Sequence, residues 1–199
     1  MSSDRAEIKN RCSGACSTVL VMLVLLQVGC QESYLAKSFP AELVSRARSN
    51  FKIDITDWDV PTGKPMAKRV RLVVQRAWGV DAAVQDYCEQ KLVTNLNARG
   101  FELDPNAATE LIVYIVKASE IQKPVRSAKV RIAVKLSTYE SAEPILCGIA
   151  DGIVPRPDLS WGVWMPKTSY FRAAQHAISK LMHQLDNMPK TSSSPHRPA

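Results

Sequence analysis

The stretch KVRIAVKLS, residues 129–137, decides the fold class because apolar and polar side chains alternate along it. A period of two is typical of a β-strand with one buried face. The alternation places Val130, Ile132, Val134 and Leu136 inward and Lys129, Arg131, Ala133 and Lys135 outward. Turn residues at 140–144 and a second apolar run at 145–154 follow, which predicts an antiparallel hairpin.

Two further strands are indicated upstream of this hairpin. Residues 111–116 (LIVYIV) are apolar on both faces, which predicts a central strand, and residues 69–75 (RVRLVVQ) alternate like a half-buried one. A shorter alternation at 51–55 (FKIDI) indicates a leading strand, and the Pro and Gly residues at 60–65 indicate a loop.

Two helices complete the pattern. Asp81 is placed as the N-cap of a helix that runs to about Arg99, with Gly100 as its stop. Its apolar stripe consists of Val84, Cys88, Leu92 and Leu96. A final helix, capped by Thr168 or Ser169 and ended by Pro189, has the stripe Phe171, Ala174, Ile178, Leu181, Leu185 and Met188.

The order β-α-β-β-β-α predicts an α+β fold, with a mainly antiparallel sheet of four to five strands and two helices packed on one face. We expect a single domain at residues 51–189. Residues 190–199 are too polar to be buried, which predicts a disordered tail.

The amino-terminal segment has the order of charges and apolar residues that is typical of a secretory signal. Arg5, Lys9 and Arg11 precede a nearly continuous apolar run at 15–28. The run ends LLQVGC and resembles the lipobox of bacterial lipoproteins, although Gln27 stands where that motif usually has leucine. The resemblance implies a signal peptide at 1–29 and a lipid (palmitate) attachment site at Cys30.

Lipid chains on Cys30 would anchor the protein in a membrane, with residues 30–50 as the tether. Gln31 follows the cysteine, rather than the aspartate that retains some lipoproteins at the inner membrane, which favours the periplasmic face of the outer membrane. Two other interpretations are an uncleaved signal anchor in an inner-membrane complex and a cytosolic protein.

Five cysteines are present, but cleavage of the signal would remove Cys12 and Cys16 and commit Cys30. The remaining pair, Cys88 and Cys147, has two interpretations. It forms one disulfide in an oxidising compartment, or it consists of two buried, unpaired thiols.

The formal net charge of +7 favours anionic partners. The outward cations of the predicted strands are Arg69, Arg71, Lys129, Arg131 and Lys135, with Lys123 and Arg126 in the nearby loop. If these strands are neighbours, they form a face for an anionic lipid or an envelope polymer. The alternative is a solvated sheet face. Because of the export signal, we expect no nucleic acid partner.

A loop with Trp161 and Trp164 precedes the last helix. Two tryptophans in a loop can form an interface with a protein partner or a membrane surface. Equally, they can close one end of the core.

No spacing typical of catalysis or metal binding occurs. His176 and His183 lie about 10 Å apart along a helix, too far to share one metal ion easily. Asp54, Asp57 and Asp59 lack the glycine and glutamate of a calcium loop. We therefore expect no metal, no cofactor and no enzymatic activity, the alternative being an enzyme whose site is assembled from scattered residues.

Residues 69–189 resemble the small envelope lipoproteins of uncharacterised-domain type. The resemblance lies in LNARGF at 96–101, GIADG at 148–152, AISKL at 177–181 and the terminal Pro189. More distantly, the pattern is similar to the auxiliary lipoproteins of lipopolysaccharide assembly and lipid transport. This implies a noncatalytic partner or lipid-handling role and supplies no catalytic residues.

Overall fold

The structure, a computed structural model, describes residues 36–49, 67–121, 127–139, 144–155 and 167–188. The chain divides into two units, Met1–Ser38, of which the described residues 36–38 are helical, and Phe39–Ala199. The described elements of the second unit are α1 (Ala41–Arg48), β1 (Arg69–Arg76), α2 (Ala82–Ala98), β2 (Glu102–Leu103), β3 (Thr109–Ile121), β4 (Ser127–Thr138), β5 (Leu146–Pro155) and α3 (Lys167–Asp186).

The five strands form one mixed sheet in the order β2-β1-β3-β4-β5. β3, β4 and β5 pair antiparallel, as the hairpin pattern predicts, whereas β1 is parallel to both β2 and β3. The parallel pairs arise because α2 carries the chain back along the sheet between β1 and the following strands. The predicted α+β fold is confirmed, with a mixed sheet where a mainly antiparallel one was expected.

Helix α2 begins and ends where local sequence signals place it. The Asp81 side chain accepts a hydrogen bond from the Ala83 backbone N–H at 2.9 Å, which caps the helix. The predicted stripe is buried: Val84, Cys88, Leu92 and Leu96. Gly100 has a φ of 77°, a conformation that glycine adopts without steric cost and that ends the helix.

Helix α3 packs beside α2 on the same face of the sheet, mainly against β4 and β5. It already includes Lys167, so Thr168 and Ser169 lie inside its first turn and the predicted cap is wrong. Its contact with β5 is very close, because a Cβ atom on Gly152 would lie 1.8 Å from the carbonyl oxygen of Ala173. Glycine at 152 is therefore what lets the helix backbone touch the strand.

The opposite face of the sheet, called here the far face, is covered in part by α1. This helix contacts β4 and β5 and buries Leu43, Val44 and Ala47, and Phe39 just before it is 4% exposed. The folded unit thus begins at Phe39, earlier than residue 51. Part of the predicted tether at 30–50 belongs to the domain, because its apolar residues find an apolar sheet face to cover.

Several sequence predictions concern segments outside the described residues. These are the signal peptide at 1–29, Cys30, the strand at 51–55, the aspartates at 54, 57 and 59, the loop at 60–65 and the tail at 190–199. Within the described ranges, no helix is long and apolar enough to cross a membrane.

Candidate functional site

A cluster of three charged side chains lies buried on the far face, where β4 and β5 pair. Arg131 is directly opposite Asp151 in the antiparallel register. Their side chains form a two-pronged ion pair, with Nε to Oδ1 at 2.7 Å and Nη2 to Oδ2 at 2.9 Å. The Lys129 Nζ atom lies 2.7 Å from Asp151 Oδ2. We call Lys129, Arg131 and Asp151 the charged cluster; the side chains of Arg131 and Asp151 are 2% and 0% exposed.

The charged cluster also holds the end of α1. Arg131 Nη1 donates to the carbonyl oxygen of Ala47 at 3.0 Å and to that of Ser49. Carbonyls at the C-terminal end of a helix have no partner within the helix and carry its partial negative charge. One guanidinium therefore joins β5, through Asp151, to the end of α1.

Burial has a cost for the cluster, which contains two cations and one carboxylate. Desolvation is the main cause that lowers the pKa of Lys129, while its contact with Asp151 partly opposes that shift. The excess positive charge faces the negative end of α1, which stabilises it. The two cations of the cluster therefore interact with Asp151 and with the end of α1 inside the protein.

Side chains of α3 contact the backbone of β5, one of the two edge strands of the sheet. Lys180 Nζ donates to the carbonyl oxygen of Asp151 at 2.8 Å, and His176 Nδ1 lies 3.2 Å from that of Ile153. His183 instead contacts the Asn187 side chain at 3.1 Å. Unpaired carbonyls on an edge strand invite pairing with another chain, so these contacts blunt the edge. Among the described residues, no three His, Cys, Asp or Glu side chains converge as a metal site.

The residues of the predicted anionic-ligand face do lie on the far face, but they are not one patch. β3 separates β1, with Arg69 and Arg71, from β4, with Lys129, Arg131 and Lys135. The expectation that Lys129 and Arg131 face solvent is wrong, because they are 7% and 2% exposed in the charged cluster. Lys135 is half-buried.

The two arginines on β1 are paired with acidic neighbours. Arg69 Nη2 lies 2.6 Å from Asp104 Oδ2, and Arg71 Nε lies 3.5 Å from Glu110 Oε1. These carboxylates offset the positive charge of the strand. Lys123 and Arg126 lie outside the described residues, and anion binding by this face stays a prediction.

Cys88 and Cys147 are not joined by a disulfide, and both are buried. Cys88 faces the core between α2 and the sheet, whereas Cys147 is opposite Lys135 on the far face. The sheet therefore lies between the two sulfur atoms, which leaves the alternative of two buried thiols. Burial raises the pKa of the Cys88 thiol to about 12, so the thiol is protonated and inert near neutral pH.

Sequence reasoning missed Asp151 as the centre of the charged cluster. The signal was present, because a carboxylate in an otherwise apolar strand needs a partner if it is buried. Pairing the predicted hairpin residue by residue places Arg131 opposite it. The cover provided by α1 could not be read in the same way, because it depends on tertiary packing.

Trp78 and Tyr139 are the exposed large hydrophobic residues of the described ranges, at 61% and 63%. Trp78 follows the end of β1, whereas Tyr139 follows β4. The Tyr139 hydroxyl oxygen accepts a hydrogen bond from Arg71 Nη1, near the start of β1, at 2.7 Å. They therefore lie at opposite ends of β1. The predicted interface residues Trp161 and Trp164 fall outside the described part of the chain.

Of the comparisons with known proteins, the comparison with solved structures found similar proteins. Neither a protein-family model nor a curated protein matches the sequence. A dodecameric PelC variant from Paraburkholderia phytofirmans matches with a TM-score of 0.48 and 12% identity, over 64% of this chain and 97% of that one. A Caulobacter crescentus protein described as a lipoprotein matches with a TM-score of 0.41 and 14% identity, over 58% and 86%. A minor lipoprotein from Acinetobacter baumannii matches with a TM-score of 0.37 and 15% identity, over 63% and 93%.

Proposed function

We propose that the chain is a lipid-anchored envelope lipoprotein whose domain acts as a binding or assembly module and not as an enzyme. The observation that carries the proposal is the short distance along the chain between Cys30 and the fold. Phe39 is already buried and residues 36–38 before it are helical, so the intervening chain spans less than about 30 Å. A lipid on Cys30 would therefore keep the domain at the membrane surface.

Among the described residues, the side chains that could take part in catalysis have structural roles, which supports a binding or assembly module rather than an enzyme. The charged cluster uses Arg131 and Asp151 to fasten α1 to the sheet, and the Cys88 thiol is held protonated in the core. Such groups stabilise the fold rather than face a substrate. The proposed partners are the membrane, an anionic lipid or envelope polymer, and an envelope protein.

The sequence supports the finer location that we propose. Gln31 after the cysteine favours the periplasmic face of the outer membrane. The distant similarity to lipopolysaccharide-assembly lipoproteins stays a prediction, and it makes a protein partner in envelope assembly the first to seek by crosslinking the intact protein in its native envelope.

Metabolic labelling with a radioactive fatty acid tests the anchor. We expect the wild-type protein to incorporate label and Cys30→Ser to lose it together with its shift in mobility. Cys88→Ser is the matched control, because it removes another thiol but leaves the attachment site, so its label should persist. Equal label in wild type and Cys30→Ser would rule out the anchor.

The mass of the mature protein distinguishes the remaining alternatives. A lipoprotein begins at an acylated Cys30, whereas a signal-anchored subunit of an inner-membrane complex retains residues 1–29. We expect mass spectrometry to find the acylated form. An intact amino-terminal segment would favour the signal anchor instead.

A further inference from the structure

We draw no further inference here: the strongest candidate, the outer edge of β1 beyond its short pairing with β2 at Arg69 and Val70, is already contacted by Gln85 of α2, whose Nε2 donates to the Val74 carbonyl oxygen at 3.1 Å, and nothing among the described residues shows what strand or partner would cover the rest of it.

Discussion

At the scale of single residues, two arginine–aspartate pairs of nearly the same geometry differ mainly in burial. Arg131 and Asp151 meet at 2.7 and 2.9 Å in the interior. Arg99 and Asp186 meet through the same atoms at 2.9 and 3.0 Å on the surface. A buried charge that loses its partner has no water to replace it, whereas an exposed one does. The two pairs therefore separate the effect of burial from that of geometry.

We predict that Asp151→Asn lowers the free energy of unfolding by about 3–5 kcal/mol, because Arg131 and Lys129 stay buried without their carboxylate. Asp186→Asn should cost at most about 1 kcal/mol. Urea unfolding followed by circular dichroism measures both variants. Similar costs for the two would mean that the charged cluster is not desolvated as the structure has it.

We predict that the buried Cys88 thiol makes the free energy of unfolding depend on pH in the alkaline range. Burial raises its thiol pKa to about 12 in the folded protein, against an ordinary value of 9.0. Between these values the unfolded chain has lost the proton that the folded chain keeps, so the free energy of unfolding falls as pH rises, by at most about 1.4 kcal/mol per unit. Below pH 9 the effect is absent.

Urea unfolding of wild type and Cys88→Ala at a series of pH values across 9.0 checks this prediction. The variant costs stability at every pH because it leaves a cavity. The difference between the two proteins should nevertheless shrink as pH rises above 9. A difference that is constant with pH would contradict the shifted thiol pKa.

At the scale of elements, a helix or strand can be predicted from sequence when the residues that determine it are close together along the chain. Asp81, the stripe ending at Leu96, and Gly100 are all local signals, and they define α2 correctly. The parallel pairing of β1 with β3 could also have been predicted from the order of elements, because a helix between two strands usually returns the chain for a parallel strand. The two-residue strand β2 has too little sequence pattern to predict.

On the far face, the alternation of apolar and polar residues predicts which way a side chain points but not whether it is buried. Alternation correctly assigns Arg131 to the face opposite Val130, but it does not say what covers that face. The assumption that polar means exposed failed because α1 lies there, its Ala47 carbonyl accepting from Arg131. Burial of a strand face depends on distant segments, and a strand pattern carries no information about them.

The contact between β5 and α3 yields a prediction about packing. Gly152→Ala would place a Cβ atom 1.8 Å from the Ala173 carbonyl oxygen and 2.7 Å from the Ala177 nitrogen, so the helix must move. We expect a loss of about 3 kcal/mol or more in the free energy of unfolding. Thermal and urea unfolding provide the measurement.

Gly100→Ala is the control for this change. It meets no atom within 4 Å but requires a positive φ, so its cost comes from the backbone alone and should be about 1–2 kcal/mol. Adding Ala173→Gly to Gly152→Ala should not restore stability, because the clash is with main-chain atoms. Recovery in that double variant would show that the side chain, and not the backbone, limits the approach.

At the scale of the whole molecule, the position of α1 makes the domain larger than the strand and helix pattern predicts. α2 and α3 cover one face of the sheet, and α1 covers the far face over β4 and β5. The apolar far-face residues Ala133 and Ile149 are buried, at 0% and 1% exposure. Over β4 and β5 the sheet is thus covered on both sides, and the amino-terminal helix contributes to its stability.

We therefore predict that a chain of residues 39–199 folds and that a chain of residues 50–199 does not form the same stable domain. The shorter chain lacks the Ala47 and Ser49 carbonyls that accept from Arg131, and it uncovers the apolar far face. Both chains lack Cys30, so lipid attachment cannot explain a difference. In urea, the longer chain should unfold in one cooperative transition at a clearly higher midpoint, and the shorter one should bind a hydrophobic dye before denaturant is added. If both chains unfolded at the same midpoint and with the same slope, α1 would be an appendage of the tether, and the boundary at residue 51 would be correct.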